Sequence, residues 1–230
     1  MRKMNEDGLS VRPKTVVGGI VKLTCLVVVT ALSLSRAMAG TDMKEDIHPP
    51  SVACEKDWTI ELGSGVAFSN VRSGQPNQPY TVVPIQLTAS LKLDDVSLDD
   101  FLGGWLRGNS EFYFEGQFDP IVRGPEHHYE GLMVGPRYNF VQPGWKIVPF
   151  MEGGVGLGFA DSNPKAAGLG EDFNFTFEVA AGAKYLIDDD WFLRLACQYQ
   201  HVSNAGLSEP TNPNHPIDML GPVLSVGYSF

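Results

Sequence analysis

Phe173-Asn174-Phe175-Thr176-Phe177-Glu178-Val179-Ala180-Ala181-Gly182-Ala183-Lys184-Tyr185-Leu186-Ile187 alternates in polarity over more than the length of an ordinary strand. Phe173, Phe175, Phe177, Val179, Ala181, Ala183, Tyr185 and Ile187 share one parity, whereas Asn174, Thr176, Glu178, Gly182 and Lys184 share the other. Successive side chains of a strand point to opposite faces, so the segment reads as a strand with one apolar and one polar side. Strands of a soluble sandwich also alternate, but they are usually shorter and their polar side meets bulk water. A long strand with aromatics near its ends fits lipid on one side and a polar lumen on the other.

The same pattern recurs outward from this segment. Eight strand-length segments fall near 58–69, 79–93, 104–118, 128–140, 145–159, 172–187, 190–203 and 217–230. The breaks between them include Ser73-Gly74-Gln75-Pro76-Asn77, Asp119-Pro120, Gln142-Pro143-Gly144 and Asp188-Asp189-Asp190, all rich in turn residues. In the third segment Phe112, Phe114 and Phe118 oppose Glu111, Tyr113, Glu115 and Gln117. The pattern predicts an all-β fold, an eight-stranded antiparallel transmembrane β-barrel over 58–230. It must be closed, because an open edge in hydrocarbon strands backbone groups without partners. Glu111, Glu115 and Glu178 are expected to meet Lys184 and Arg194 in a charge network inside the lumen. The last residues, Tyr228-Ser229-Phe230, are similar to the terminal aromatic signal that marks outer-membrane barrels for insertion.

Ahead of the barrel, Arg2, Lys3, Arg12, Lys14 and Lys22 precede an apolar run from Leu23 to Leu34 and a small-x-small Ala37-Met38-Ala39. This order predicts a signal peptide over 1–39 and a mature start at Gly40. The run is too short for a spanning helix, which needs about 20 apolar residues. Residues 40–57 are polar and read as a periplasmic N-terminal extension. Cleavage reduces the 17 basic and 27 acidic residues to 11 and 25, a net charge of −14. So acidic a chain excludes nucleic acid as a partner, since phosphates need Lys and Arg to displace counterions. Cys54 precedes the first strand and Cys197 lies in the seventh, so the two are read as thiols rather than a disulfide.

The segment that carries chemistry is Arg194-Leu195-Ala196-Cys197-Gln198-Tyr199-Gln200-His201-Val202-Ser203-Asn204-Ala205-Gly206-Leu207. His201 and Ser203 share the parity of Trp191, Leu193, Leu195, Cys197 and Tyr199, opposite Arg194, Gln198 and Gln200. They therefore point outward, where polar groups are costly against hydrocarbon unless partnered or used. In the last segment Asp218 shares the outward parity of Leu220, Leu224, Val226, Tyr228 and Phe230. From Asp218 to Phe230 spans about 30 Å of membrane height at usual strand tilts. All three groups thus lie near the external rim. A hydroxyl, an imidazole and a carboxylate brought together form an acyl-transfer apparatus, with backbone amides around Asn204–Gly206 or a side-chain amide as oxyanion donors. The competing reading is three rim residues wetted by headgroups. His127-His128 with Glu126 and Glu130 suggests either a metal site or a solvated turn, and the turn is favoured.

His201-Val202-Ser203-Asn204-Ala205-Gly206-Leu207, a Pro/Asn-rich loop and an acidic residue opening the last strand resemble the PagL-type lipid A 3-O-deacylases (acyloxyacyl hydrolase family). Gly135-Pro136-Arg137-Tyr138-Asn139-Phe140, Pro143-Gly144-Trp145 and Pro149-Phe150 are similar to that family's middle strands. The likeness runs from Trp58 to Phe230. It implies an outer-membrane serine esterase that removes an ester-linked 3-hydroxyacyl chain from lipid A of lipopolysaccharide. By the same resemblance Ser203 is the nucleophile, His201 the base and Asp218 the acid. Asn204, Gly206 and either Asn212 or Asn214 are the oxyanion candidates. Asp218 is one methylene shorter than the family's best-known acid, and the loop before it is longer. No metal or organic cofactor is required, because Ser203 supplies the nucleophile; a homodimer is admitted. The alternatives are a non-enzymatic OmpA-like structural or surface-interaction barrel, and a small porin-like channel, which side chains filling an eight-stranded lumen disfavour.

Overall fold

The computed structural model describes residues 56–69, 79–96 and 104–230. The predicted signal peptide, the extension as far as residue 55 and the Ser73–Asn77 break lie outside the described residues. Eight strands run in antiparallel order. They are β1 (Trp58–Gly65, resuming over Ala67–Ser69), β2 (Thr81–Val82, then Ile85–Val96), β3 (Gly108–Arg123) and β4 (His128–Asn139). β5 (Ile147–Ala160), β6 (Phe173–Leu186), β7 (Trp191–Ser203) and β8 (Ile217–Ser229) complete the set. Each strand pairs with the next, and β1 pairs with β8 from Thr59↔Ser229 to Gly65↔Val223 and again at Phe68↔Leu220. The sheet is closed into a barrel.

Both interruptions sit at prolines. The Val66 N–H donates to the Pro222 carbonyl at 3.2 Å, but Pro222 has no N–H to return. Gly65 likewise donates to Pro84 O at 3.3 Å without a reciprocal bond. The register on either side is unchanged, so each proline removes one rung without shifting the strand. The sequence reading ends the third strand before Asp119-Pro120. In the structure β3 continues to Arg123, with Pro120 paired to His128 and its carbonyl accepting from Val83 N at 3.0 Å. Asp119 keeps the inward parity and is buried, so alternation outlasts the local turn signal.

Parity divides the barrel wall as the sequence predicts. Outward positions are apolar and exposed, among them Leu62, Leu87, Leu132, Val155, Phe177, Leu195 and Leu224. A continuous apolar belt of this kind is expected against hydrocarbon and not against water. Trp58, Trp191, Tyr228 and Phe230 gather at the end bearing the C-terminus, with Trp191 and Tyr228 edge-to-face at 5.0 Å. Phe159, Phe173 and Phe175 cluster at the opposite, Ser203-bearing end.

The lumen is filled. Arg137 lies at its centre and donates to Glu61 and Glu152 at 2.5 Å each and to Glu111 at 3.1 Å. Lys184 joins Glu111 at 3.0 Å and Arg194 joins Glu152. The expected network is therefore real but differently composed. Glu115 instead accepts from Thr88 at 2.8 Å and Glu178 from Gln198 at 2.6 Å, because both lie nearer the Ser203 end than the cations. Above them Tyr80, Val82, Tyr129, Leu169, Val202, Ile217 and Met219 form an apolar plug beneath the loops of that end.

Candidate active site

Alternation along β7 turns His201 and Ser203 outward, while Gln198, Gln200 and Val202 face the interior. Antiparallel pairing sets Asp218 of β8 directly across from His201. Side chains in that relation have Cβ atoms about 5 Å apart, within reach even of aspartate's short arm. His201 Nδ1 lies 2.7 Å from Asp218 Oδ1, and the Tyr199 hydroxyl donates to the same oxygen at 2.6 Å. A carboxylate offers only acceptors, so the hydrogen of the first contact belongs to Nδ1; in the neutral ring this tautomer has its lone pair on Nε2. The His201 side chain is 37% exposed and that of Asp218 19%.

Ser203 closes β7, and the next residues turn sharply. Asn204 is fully buried; its Oδ1 accepts from Gly206 N at 2.9 Å and its Nδ2 donates to Ser208 Oγ at 2.7 Å. This asparagine turn holds Ala205 and Gly206 in succession at φ 56° and 79°. Glycine adopts that conformation freely, but for alanine it costs about 1–2 kcal/mol. The strained residue aims its amide at the serine: Ala205 N–H donates to Ser203 Oγ at 3.2 Å. Asn214 Nδ2 reaches the same oxygen at 2.9 Å from the far side of the β7–β8 loop.

Of the four oxyanion candidates, the structure brings only Asn214 to the serine by its side chain. Asn204 and the Gly206 amide hydrogen-bond each other in shaping the turn, and the backbone amide that reaches the serine is that of Ala205. Asn212 serves through its backbone, donating to Ser208 O at 2.9 Å and accepting from Ser208 Oγ at 2.7 Å. The loop is buttressed by residues 168–170, a contact with no local sequence signature. A Cβ on Gly170 would lie 2.1 Å from Ser208 Oγ and 3.0 Å from Asn212 O, so any side chain there would have to displace the groups that brace the turn. Gly170 N–H also donates to Asn214 Oδ1 at 3.5 Å. Tyr199 lies two residues before His201, so parity alone could have placed it beside the candidate triad.

Ser203 Oγ thus accepts two hydrogen bonds and keeps its own proton to give. It is not hydrogen-bonded to His201 here, although both leave the same strand face. Nucleophile–base contacts are commonly loose without substrate. Around them the wall is aromatic: Phe175 pairs with Ser203 and Phe177 with His201 across β6. Elsewhere, His127 and His128 donate their backbone amides to Asp161 at 2.8 and 3.0 Å, and Glu126 is buried against Tyr80 OH and Leu169 N. Among the described residues no group of three or more His, Cys, Asp or Glu is placed to hold a metal ion.

Fold and site together define a closed eight-stranded β-barrel bearing a histidine–carboxylate pair and a donor-bound serine on its outer rim. The chain belongs to the lipid A 3-O-deacylase (PagL) family, whose match over residues 95–229 contains all of these groups. It is therefore a member of a hydrolase family. Among solved structures, Neisserial surface protein A aligns over 75% of this chain and 97% of its own, at 12% identity and a TM-score of 0.52. The outer membrane enzyme PagL aligns over 73% and 97%, at 20% identity and a TM-score of 0.47. The N-terminal β-barrel domain of Pseudomonas aeruginosa OprF aligns over 76% and 100%, at 13% identity and a TM-score of 0.40. No curated protein matches the sequence.

Proposed function

We propose that this barrel is an outer-membrane serine esterase that hydrolyses the ester holding a 3-hydroxyacyl chain at position 3 of lipid A. The observation that carries the proposal is the placement, on one outward face of the barrel, of the hydrogen-bonded His201–Asp218 pair and, two residues along the same strand, a serine already touched by two donors. The apolar belt supports a membrane setting, and the rim position suits an ester at the boundary between acyl chains and headgroups.

Ser203 Oγ attacks the ester carbonyl carbon while its proton passes to His201 Nε2. The carbonyl oxygen becomes an oxyanion, for which Ala205 N–H and Asn214 Nδ2 are the donors. Both now rest on Oγ, close to where the oxygen sharing that carbon will lie. Asp218 stabilises the imidazolium, which returns the proton to the departing sugar oxygen. The sugar leaves with a free hydroxyl and the acyl group stays on Ser203. Water, deprotonated by His201, then releases the 3-hydroxy fatty acid and restores the serine.

Incubating the purified barrel with lipopolysaccharide and following lipid A by mass spectrometry tests this. The expected result is loss of one 3-hydroxyacyl chain, abolished by Ser203→Ala. Intact lipid A, or equal loss with the variant, overturns the proposal and favours a non-enzymatic barrel.

A further inference from the structure

We propose that Tyr199 is a positioning residue for this reaction, its phenol holding the Asp218 carboxylate in the orientation His201 needs. The inference rests on the proposed roles of Ser203, His201 and Asp218. Asp218 Oδ1 accepts two hydrogen bonds, 2.7 Å from His201 Nδ1 and 2.6 Å from the Tyr199 hydroxyl. The two donors are alternate residues of β7, so both emerge on its outer face, with Tyr199 one step deeper in the belt. Register sets Tyr199 between Val179 of β6 and Leu220 of β8. Its ring therefore has apolar neighbours, while its hydroxyl reaches toward the polar rim. An aromatic body with a polar tip suits that boundary.

An anchor at this point has a mechanical consequence. Asp218 is 19% exposed at a level where water and headgroups compete for its oxygens. Without the phenol, Oδ1 loses one of these two hydrogen-bond donors, and the carboxylate can rotate more readily about its side-chain torsions toward those competitors. The phenol, donating from the apolar side, fixes the oxygen from a second direction. Tyrosine ordinarily ionises near pH 10, so at neutral pH it donates without adding charge. Asp218 keeps its negative charge to stabilise the imidazolium, and the imidazole keeps Nε2 directed outward. Ala205 and Asn214 act on the serine, whereas Tyr199 acts through the acid.

The test is steady-state turnover of lipopolysaccharide by wild type, Y199F, D218A, the double variant and S203A. Each is first shown to be folded by the gel-mobility change that barrels undergo on heating. Y199F is expected to lower kcat about tenfold, the worth of one charge-assisted hydrogen bond, with KM held within about twofold. In the D218A background the same change is expected to alter kcat by less than about twofold, since no carboxylate remains to be held. Wild-type kcat in Y199F, or an equal loss in both backgrounds, overturns the assignment; the second result makes Tyr199 a part of the fold only. Inactive S203A with fully active Y199F defeats the tyrosine alone. Full activity in S203A removes the esterase reading and the tyrosine's role with it.

Discussion

Replacing Asn214 with alanine removes the shorter of the two hydrogen bonds that meet at Ser203 Oγ, 2.9 Å against 3.2 Å from Ala205 N–H. It is also the one of the two that a side-chain substitution can delete, because the other comes from the backbone; the 3.5 Å contact from Gly170 N–H to Asn214 Oδ1 is lost with it. Loss of one oxyanion donor in a water-excluded site costs about 10²–10³ in kcat, roughly 2.7–4 kcal/mol. Asn214 is only half-buried, and Ala205 remains, so the lower end applies: about a hundredfold. KM should stay within about threefold, because the charge being stabilised exists only in the transition state. Release of 3-hydroxy fatty acid from lipopolysaccharide, measured by mass spectrometry across substrate concentrations, gives both constants. Asn212→Ala is the matched control, since Asn212 braces the loop through backbone atoms, and it should stay within about threefold of wild type. A hundredfold loss in Asn212→Ala with near-normal Asn214→Ala would refute this assignment of donors.

Two further predictions concern stability. Arg137 is 1% exposed and is shared by Glu61, Glu111 and Glu152, so Arg137→Met leaves only Lys184 and Arg194 to offset three buried carboxylates and should cost about 3–5 kcal/mol. The urea midpoint of the refolding barrel measures this, and adding Glu61→Gln should recover part of the loss. At the loop end, burial disfavours the Asp161 anion, but amides of His127 and His128 and the His127 ring outweigh it and hold the carboxyl below its ordinary 3.8. A lowered folded value contributes stability that is present above 3.8 and lost as pH falls through the lower value. Hydrogen-exchange protection of the His127 and His128 amides should therefore hold from neutral pH to about pH 4 and decline below it, and Asp161→Asn should reduce it already at pH 7.

The barrel was legible because alternation is a geometric property of strands and survives local disturbances. Pro84, Pro120 and Pro222 each remove a backbone donor, yet parity carries through all three. That is why the turn-like Asp119-Pro120 proved a poor strand boundary. The same parity was enough to set His201, Ser203 and Asp218 on one outward face, since a strand's register with its neighbour decides what meets across it. Loop contacts obey no such period. Nothing in the order Asn204, Gly206, Asn212, Asn214 reveals which side chain folds back onto the serine. That choice depends on the Asn204–Gly206 turn and on Gly170, distant in sequence. The lumen was legible in composition but not in pairing, because which carboxylate meets which cation depends on height along tilted strands.

The most direct measurement is covalent. A long-chain alkyl fluorophosphonate added to the folded barrel in micelles, followed by peptide mapping, reports whether a nucleophilic serine faces the detergent tails. One adduct is predicted, on Ser203, lost when His201 is replaced by alanine. An unlabelled Ser203, or labelling indifferent to His201, would contradict a catalytic serine on the outer wall.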